Sequence, residues 1–209
     1  MKVGGVFISK LRKVVWSLVL IFLISQGTVA FAALHSDLEK HDPDKYAIIY
    51  GAIDCSTTNF DLLRVNLYRY PFKITLKNNN SAAMDVNEGK GYFFTIVKPG
   101  QYFIVDFRLS GRQLTIVPMP YESKADVESR LMSVKEGDVF YWGSTKFYKT
   151  RESSFNQSSR YGIAPTDEPG ERKLLEEILK SSKGTKWESV IITKLEAINK
   201  WETKDNNLE

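Results

Sequence analysis

Two histidines, His35 and His41, stand among Asp37, Glu39, Asp42 and Asp44 early in the chain. Imidazole beside carboxylate is the usual material of a metal site or a general base. The spacing argues against both. Six residues turn about 240° around a helix, so the two rings would not share a face. The chain has only these two histidines to offer a zinc site. A solvated N-terminal arm is the expectation for residues 33–45.

Nucleophilic chemistry finds no better footing. There is no Gly-x-Ser-x-Gly elbow, and none of the 25 acidic residues is marked out as half of a glycosidase pair. Cys55 is the single cysteine, either a buried small hydrophobe or a free thiol open to a second chain. No catalytic residue, no metal ligand and no cofactor is expected; a hydrolase whose acids meet only in space is the alternative. Aromatic residues offer more. Tyr141, Trp142 and Tyr148 are the candidate binding rings, because strand alternation sends part of such a set outward, where rings stack on sugars or anchor a protein partner. The competing reading packs them in the core or beneath helices.

The segments before these residues fix where such binding would happen. Residues 1–32 read as a secretory signal peptide. Lys2, Lys10, Arg12 and Lys13 precede the apolar run Val14–Ile24, and Ala30-Phe31-Ala32 places small residues at −3 and −1 of a cut before Ala33. A periplasmic or secreted protein follows, or one anchored in the inner membrane by an uncleaved N-terminal helix. The whole chain has 29 Lys and Arg against 25 Asp and Glu. Without the four leader cations the balance is even, so the basic pI belongs to the leader and gives no support to a nucleic-acid partner. An exported domain with one cysteine has no internal disulfide and must rely on its core.

The elements that would position the rings are mostly strands. Tyr46–Ile53 is a nearly continuous apolar run, as for a strand buried on both faces. Leu63, Val65 and Leu67 alternate with polar residues, as do Phe72, Ile74 and Leu76. Lys77–Ser81 reads as a loop. Tyr92–Val97 and Tyr102–Leu109 flank Pro99-Gly100, a type II turn signal. Leu114–Val117 is another strand, Tyr121–Ser129 has helical spacing, and Arg130–Val134 with Val139–Ser144 look like a pair turning at Glu136-Gly137-Asp138. Short connections favour an antiparallel β-sandwich of about seven or eight strands over 46–150. Residues 151–170 read as a linker. Two amphipathic helices over 171–203 follow, the second opening on the capping box Thr185-Lys186-Trp187-Glu188, with Trp187 pinning it to the strands.

The strand Tyr46–Ile53, the segment Phe94-Thr-Ile-Val-Lys-Pro-Gly-Gln-Tyr102 and the segment Val134-Lys-Glu-Gly-Asp-Val-Phe-Tyr-Trp-Gly143 together resemble bacterial exported and lipoprotein domains with a transthyretin-like or carboxypeptidase-regulatory-like β-sandwich. The resemblance covers roughly 46–145. It departs from the lipoprotein members in having no cysteine directly after the leader. It implies a binding or accessory role and carries over no site residues. The expected function is therefore an exported non-catalytic binding or envelope-accessory protein with a protein partner, or alternatively a carbohydrate-binding module using exposed aromatics.

Overall fold

The computed structural model describes residues 34–58, 60–71, 81–87, 91–110, 115–151 and 160–205. The cleavage residues Ala30, Ala32 and Ala33, and the alternating run at Phe72–Leu76, lie outside them. Among the described residues the protein is mainly β, with helices at both ends. Residues 34–40 are helical and form α1. Six strands follow, β1 Ala47–Asp54, β2 Asp61–Tyr70, β3 Ser81–Asn87, β4 Tyr92–Val97, β5 Gly100–Ser110 and β6 Thr115–Pro118. After the short helix α2 Lys124–Ser129 come β7 Met132–Val134, β8 Val139–Arg151 and β9 Arg160–Thr166. The helices α3 Glu171–Ser182 and α4 Trp187–Asp205 end the described chain.

The strands run in the order β6-β5-β2-β3-β4-β1-β8-β9, with β7 paired to β5. The sheet is mixed, because β1 and β8 are parallel. β3 joins its two halves: residues as far as Met84 pair with β2, and those from Asp85 pair with β4. Side chains from both halves, among them Ile49 and Phe93 on one side and Val65, Ile104 and Phe107 on the other, share one buried cluster.

The run read as a doubly buried strand is one. Ala47, Ile49 and Ile53 of β1 face the first cluster. Ile48, Tyr50 and Ala52 face a second, completed by Leu34 and Leu38 of α1, Leu174 and Ile178 of α3, and Trp187 and Ile191 of α4. The amphipathic C-terminal helices thus cover the outer face of β1. Trp187 is fully buried there.

Several expectations change. Residues 34–40 are not a solvated arm, because Leu34 and Leu38, one helical turn apart, insert into the second cluster. Residues 160–166, inside the stretch read as linker, form β9, because Tyr161 and Ile163 place a period-two apolar pair among the turn residues and Tyr161 stacks on Phe147 at 5.1 Å. The turns at Pro99-Gly100 and Glu136-Gly137-Asp138 join strands that are not each other's partners. β4 pairs with β1 and β3 whereas β5 pairs with β2, β6 and β7. Side chains hold that turn instead: Arg69 Nη2 donates to Pro99 O at 2.8 Å and the Tyr102 hydroxyl to Lys98 O at 2.7 Å. In the same way β7 pairs with β5 while β8 lies against β1, and Gly137 N–H donates to Tyr46 O at 2.9 Å, which sets β8 alongside β1.

The capping box is displaced by one residue. Trp187 N–H donates to Thr185 Oγ1 at 3.2 Å, and Glu188 Oε2 accepts from Gly184 N–H at 2.8 Å. The helix N-terminus is satisfied all the same.

Candidate functional site

The two histidines serve the fold separately. His35 Nδ1 lies 2.9 Å from Ser181 O at the end of α3, and His41 Nδ1 lies 2.8 Å from Asp37 O while its ring meets Tyr46 edge-on. Asp42 pairs with Lys186 instead of a histidine, and this contact holds its carboxyl below the usual range. Among the described residues no three His, Cys, Asp or Glu side chains gather as a metal set would.

The three candidate rings diverge. The register of β8 against β1 slips between Tyr50↔Tyr141 and Gly51↔Gly143, so Trp142 is the extra residue of a β-bulge. Gly143, at φ 124°, takes the backbone angle that this kink requires. Before the bulge Phe140 and Trp142 face the first cluster; beyond it Phe147 does so. The bulge therefore reverses the parity of the strand and brings Trp142 and Phe147 into one core. Trp142 lies 5.7 Å from Phe93 and 5.8 Å from Phe107, ring to ring. Tyr141 points the other way, toward the helices, with its ring 5.4 Å from that of Tyr50. Tyr148 is partly exposed and lies across Gly162, where a Cβ would come within 2.9 Å of its ring. The three rings do not form a flat platform.

Tyr141 does line a groove. An open cleft of about 760 Å³ runs between the start of β8 and α4, bordered by Val139, Phe140 and Tyr141 on the strand and by Val190, Lys194 and Ala197 on the helix. Apolar walls with a few polar groups among them make a surface suited to binding. Glu171 and Lys194 belong to a small polar network. Glu171 Oε1 accepts from the Tyr50 hydroxyl at 2.9 Å and lies 3.2 Å from Lys194 Nζ. The Tyr141 hydroxyl lies 2.9 Å from Ser144 Oγ, which donates to Pro169 O at 2.5 Å. Burial, with the charge of Glu171 beside it, pushes the Tyr50 phenol well above its ordinary range, and burial also raises Tyr141. Both phenols stay neutral donors at physiological pH.

Sequence reasoning named Tyr141 but missed Glu171, Val190, Lys194 and Ala197. A signal existed for Lys194. It falls three residues after Ile191 and seven after Trp187, on the apolar stripe of α4, where a charge needs a partner. Trp201 carries a second signal. In helical projection it falls between Val190 and Lys194, on the flank that lines the groove, and it is 69% exposed.

A second cavity, of about 330 Å³, opens beside Cys55 between Asp54, Phe60 and Asp61. Burial first, and then the charges of Asp54 and Asp61, push the Cys55 thiol up to about 11. Such a thiol is almost wholly protonated at neutral pH and reacts poorly. Alkylation of Cys55 by iodoacetamide at pH 8 is expected to run roughly a hundredfold slower than in the urea-unfolded chain, since about two pKa units separate the thiolate fractions. Equal rates in the two states would show that the thiol is not buried.

No protein-family model matches the chain, and no curated protein gives a significant match to it.

Proposed function

We propose that the chain is an exported, non-catalytic binding protein, periplasmic or secreted after cleavage before Ala33, whose strands form a β-sandwich and whose groove between β8 and α4 holds a polypeptide partner. The open groove, about 760 Å³ in volume, is the observation that carries this reading. Its scale suits a chain segment, and its mixed lining, apolar at Val139, Val190 and Ala197 and polar at Glu171 and Lys194, is that of a protein-binding surface. The exposed Trp201 on the same flank of α4 is the residue type most enriched among binding hot spots. The protein reading is preferred to the glycan one because Tyr141, Trp142 and Tyr148 point in different directions. It is preferred to a hydrolase because the two histidines bond separate backbone carbonyls and the one thiol is held protonated.

A photo-crosslinking amino acid placed at exposed Ala197 tests this in the native compartment. It is expected to give an adduct with a discrete polypeptide. The same probe at Ile116, exposed on β6 in the other half of the sheet, is expected to give none. Equal yields at both positions, or no adduct at either, would remove the groove as the binding surface.

A further inference from the structure

The groove has a chemical feature beyond its apolar lining. Ile48 N–H donates to Asp138 O at 2.8 Å, so the carbonyl of Asp138 and the polar backbone groups of Phe140 turn toward β1. In a parallel ladder the alternate residues turn the opposite way, and Val139 and Tyr141 therefore direct their N–H and C=O groups away from β1. On that side β9 begins to cover β8 only at Ser144, where it meets Thr166. Among the described residues no strand pairs with the outer side of residues 139–143. The chain then leaves the row of β9, Pro169 lying over Ser144 and Glu171 over Tyr50. What remains is a short sheet edge, in line with β9 and bordered by the α4 flank of Val190, Lys194 and Ala197.

An unpaired sheet edge asks for one kind of occupant, because its alternating donors and acceptors match another extended main chain. We propose that the groove binds its partner by strand addition: an extended segment of the partner polypeptide continues the row of β9 along residues 139–143, with alternate side chains turned up against α4. Apolar side chains at those alternate positions meet Val190 and Ala197, and Trp201 closes over the far end, since the Cα–Cβ bonds of a helix tilt toward its N-terminus and hence toward Ala197. Between them the charged pair of Glu171 and Lys194 favours a polar residue. This inference rests on the polypeptide-docking reading above.

Random dodecapeptides displayed on phage and selected against the purified protein supply the probe. Selection is expected to recover peptides with apolar residues at every second position, and Ala197→Trp, which fills the groove from an exposed site, is expected to weaken them at least tenfold. A recovered peptide is then N-methylated one residue at a time. Strand addition predicts a tenfold or greater loss at alternate positions and little change between them, and Val139→Pro, which removes an outward N–H of the edge but keeps its carbonyl, is expected to weaken the unmodified peptide as well. A flat N-methyl profile with the Ala197→Trp block retained would overturn strand addition and leave the groove as a docking site. Peptides indifferent to Ala197→Trp, or no selected peptides, would overturn both.

Discussion

Trp187→Ala is expected to cost about 3–5 kcal/mol of folding free energy, the range for removing a buried aromatic side chain. Few positions join so many elements. The indole is 0% exposed, in the cluster that also takes Leu38 of α1, Ile48 and Tyr50 of β1 and Val139 of β8. Its Nε1 donates to His41 O at 2.6 Å, which ties the end of α1 to the start of α4. A domain of this kind has about 5–15 kcal/mol in total, so the loss is a large part of it. Trp187→Phe separates the two contributions. The ring volume is mostly kept, but the His41 carbonyl loses its donor, and a cost of about 1–3 kcal/mol is expected. Urea unfolding followed by far-UV circular dichroism measures both. A Trp187→Ala cost under 1 kcal/mol would mean that α4 is not docked as described.

Gly51→Ala is the second large effect, and its origin is space rather than lost contact. A Cβ on Gly51 would stand 2.7 Å from Gly143 O and 2.7 Å from Phe93 Cζ. The first is a backbone atom in the β8 bulge and the second a buried ring packed against Trp142, so neither yields cheaply. Overpacking of a filled core costs about 1–3 kcal/mol, and this site is expected at the upper end. Gly143→Ala tests the other half of the same contact. No atom lies within 4 Å of the added Cβ, but φ is 124°, so any cost there is backbone strain, about 1–3 kcal/mol. The two variants differ in a further way. Gly143→Ala acts on the kink that ends the groove strand just after Tyr141, and it is expected to weaken peptide binding as well as folding. Gly51→Ala within 0.5 kcal/mol of wild type in thermal or urea unfolding would show that the bulge does not press on β1.

Much of the element structure was legible along the chain, and for local reasons. The unbroken apolar run at Tyr46–Ile53 reads as doubly buried because no alternation is needed when both faces are covered. Leu174, Leu175 and Ile178 announce α3 by spacing alone, and the Thr185–Glu188 segment announces the start of α4, although the bonds it makes are shifted by one residue. Some misses were local too. Tyr161 and Ile163 were hidden by the Ser, Pro and Gly around them, and Leu34 and Leu38 by the polar His35, Ser36 and Asp37 between them.

Pairing was not legible, and the reason is physical. Pro99-Gly100 and Glu136-Gly137-Asp138 turn the chain sharply, but a turn does not say whether the next strand returns to its neighbour or crosses to the other half of the sheet. Here Arg69, Tyr102 and the Tyr46 carbonyl decide it, and all of them act through space. The candidate site depends on the same choice. Because β8 runs parallel to β1 and β9 covers its second half, residues 139–143 are left, among the described residues, as an edge under α4. Tyr141, Trp142 and Tyr148 looked alike as aromatic residues in one strand. Alternation sends Tyr141 to the groove and Trp142 to the core, and a single bulge, set by Gly143 against Gly51, then puts Phe147 on the core face and leaves Tyr148 partly exposed over Gly162. The sequence alone determined most of the strands and helices, because these follow from the period of apolar residues where that period is plain; α1, β3 and β9 were not among them. Only the tertiary structure decided which face each ring takes and where an edge stays open, because those depend on residues distant in the chain.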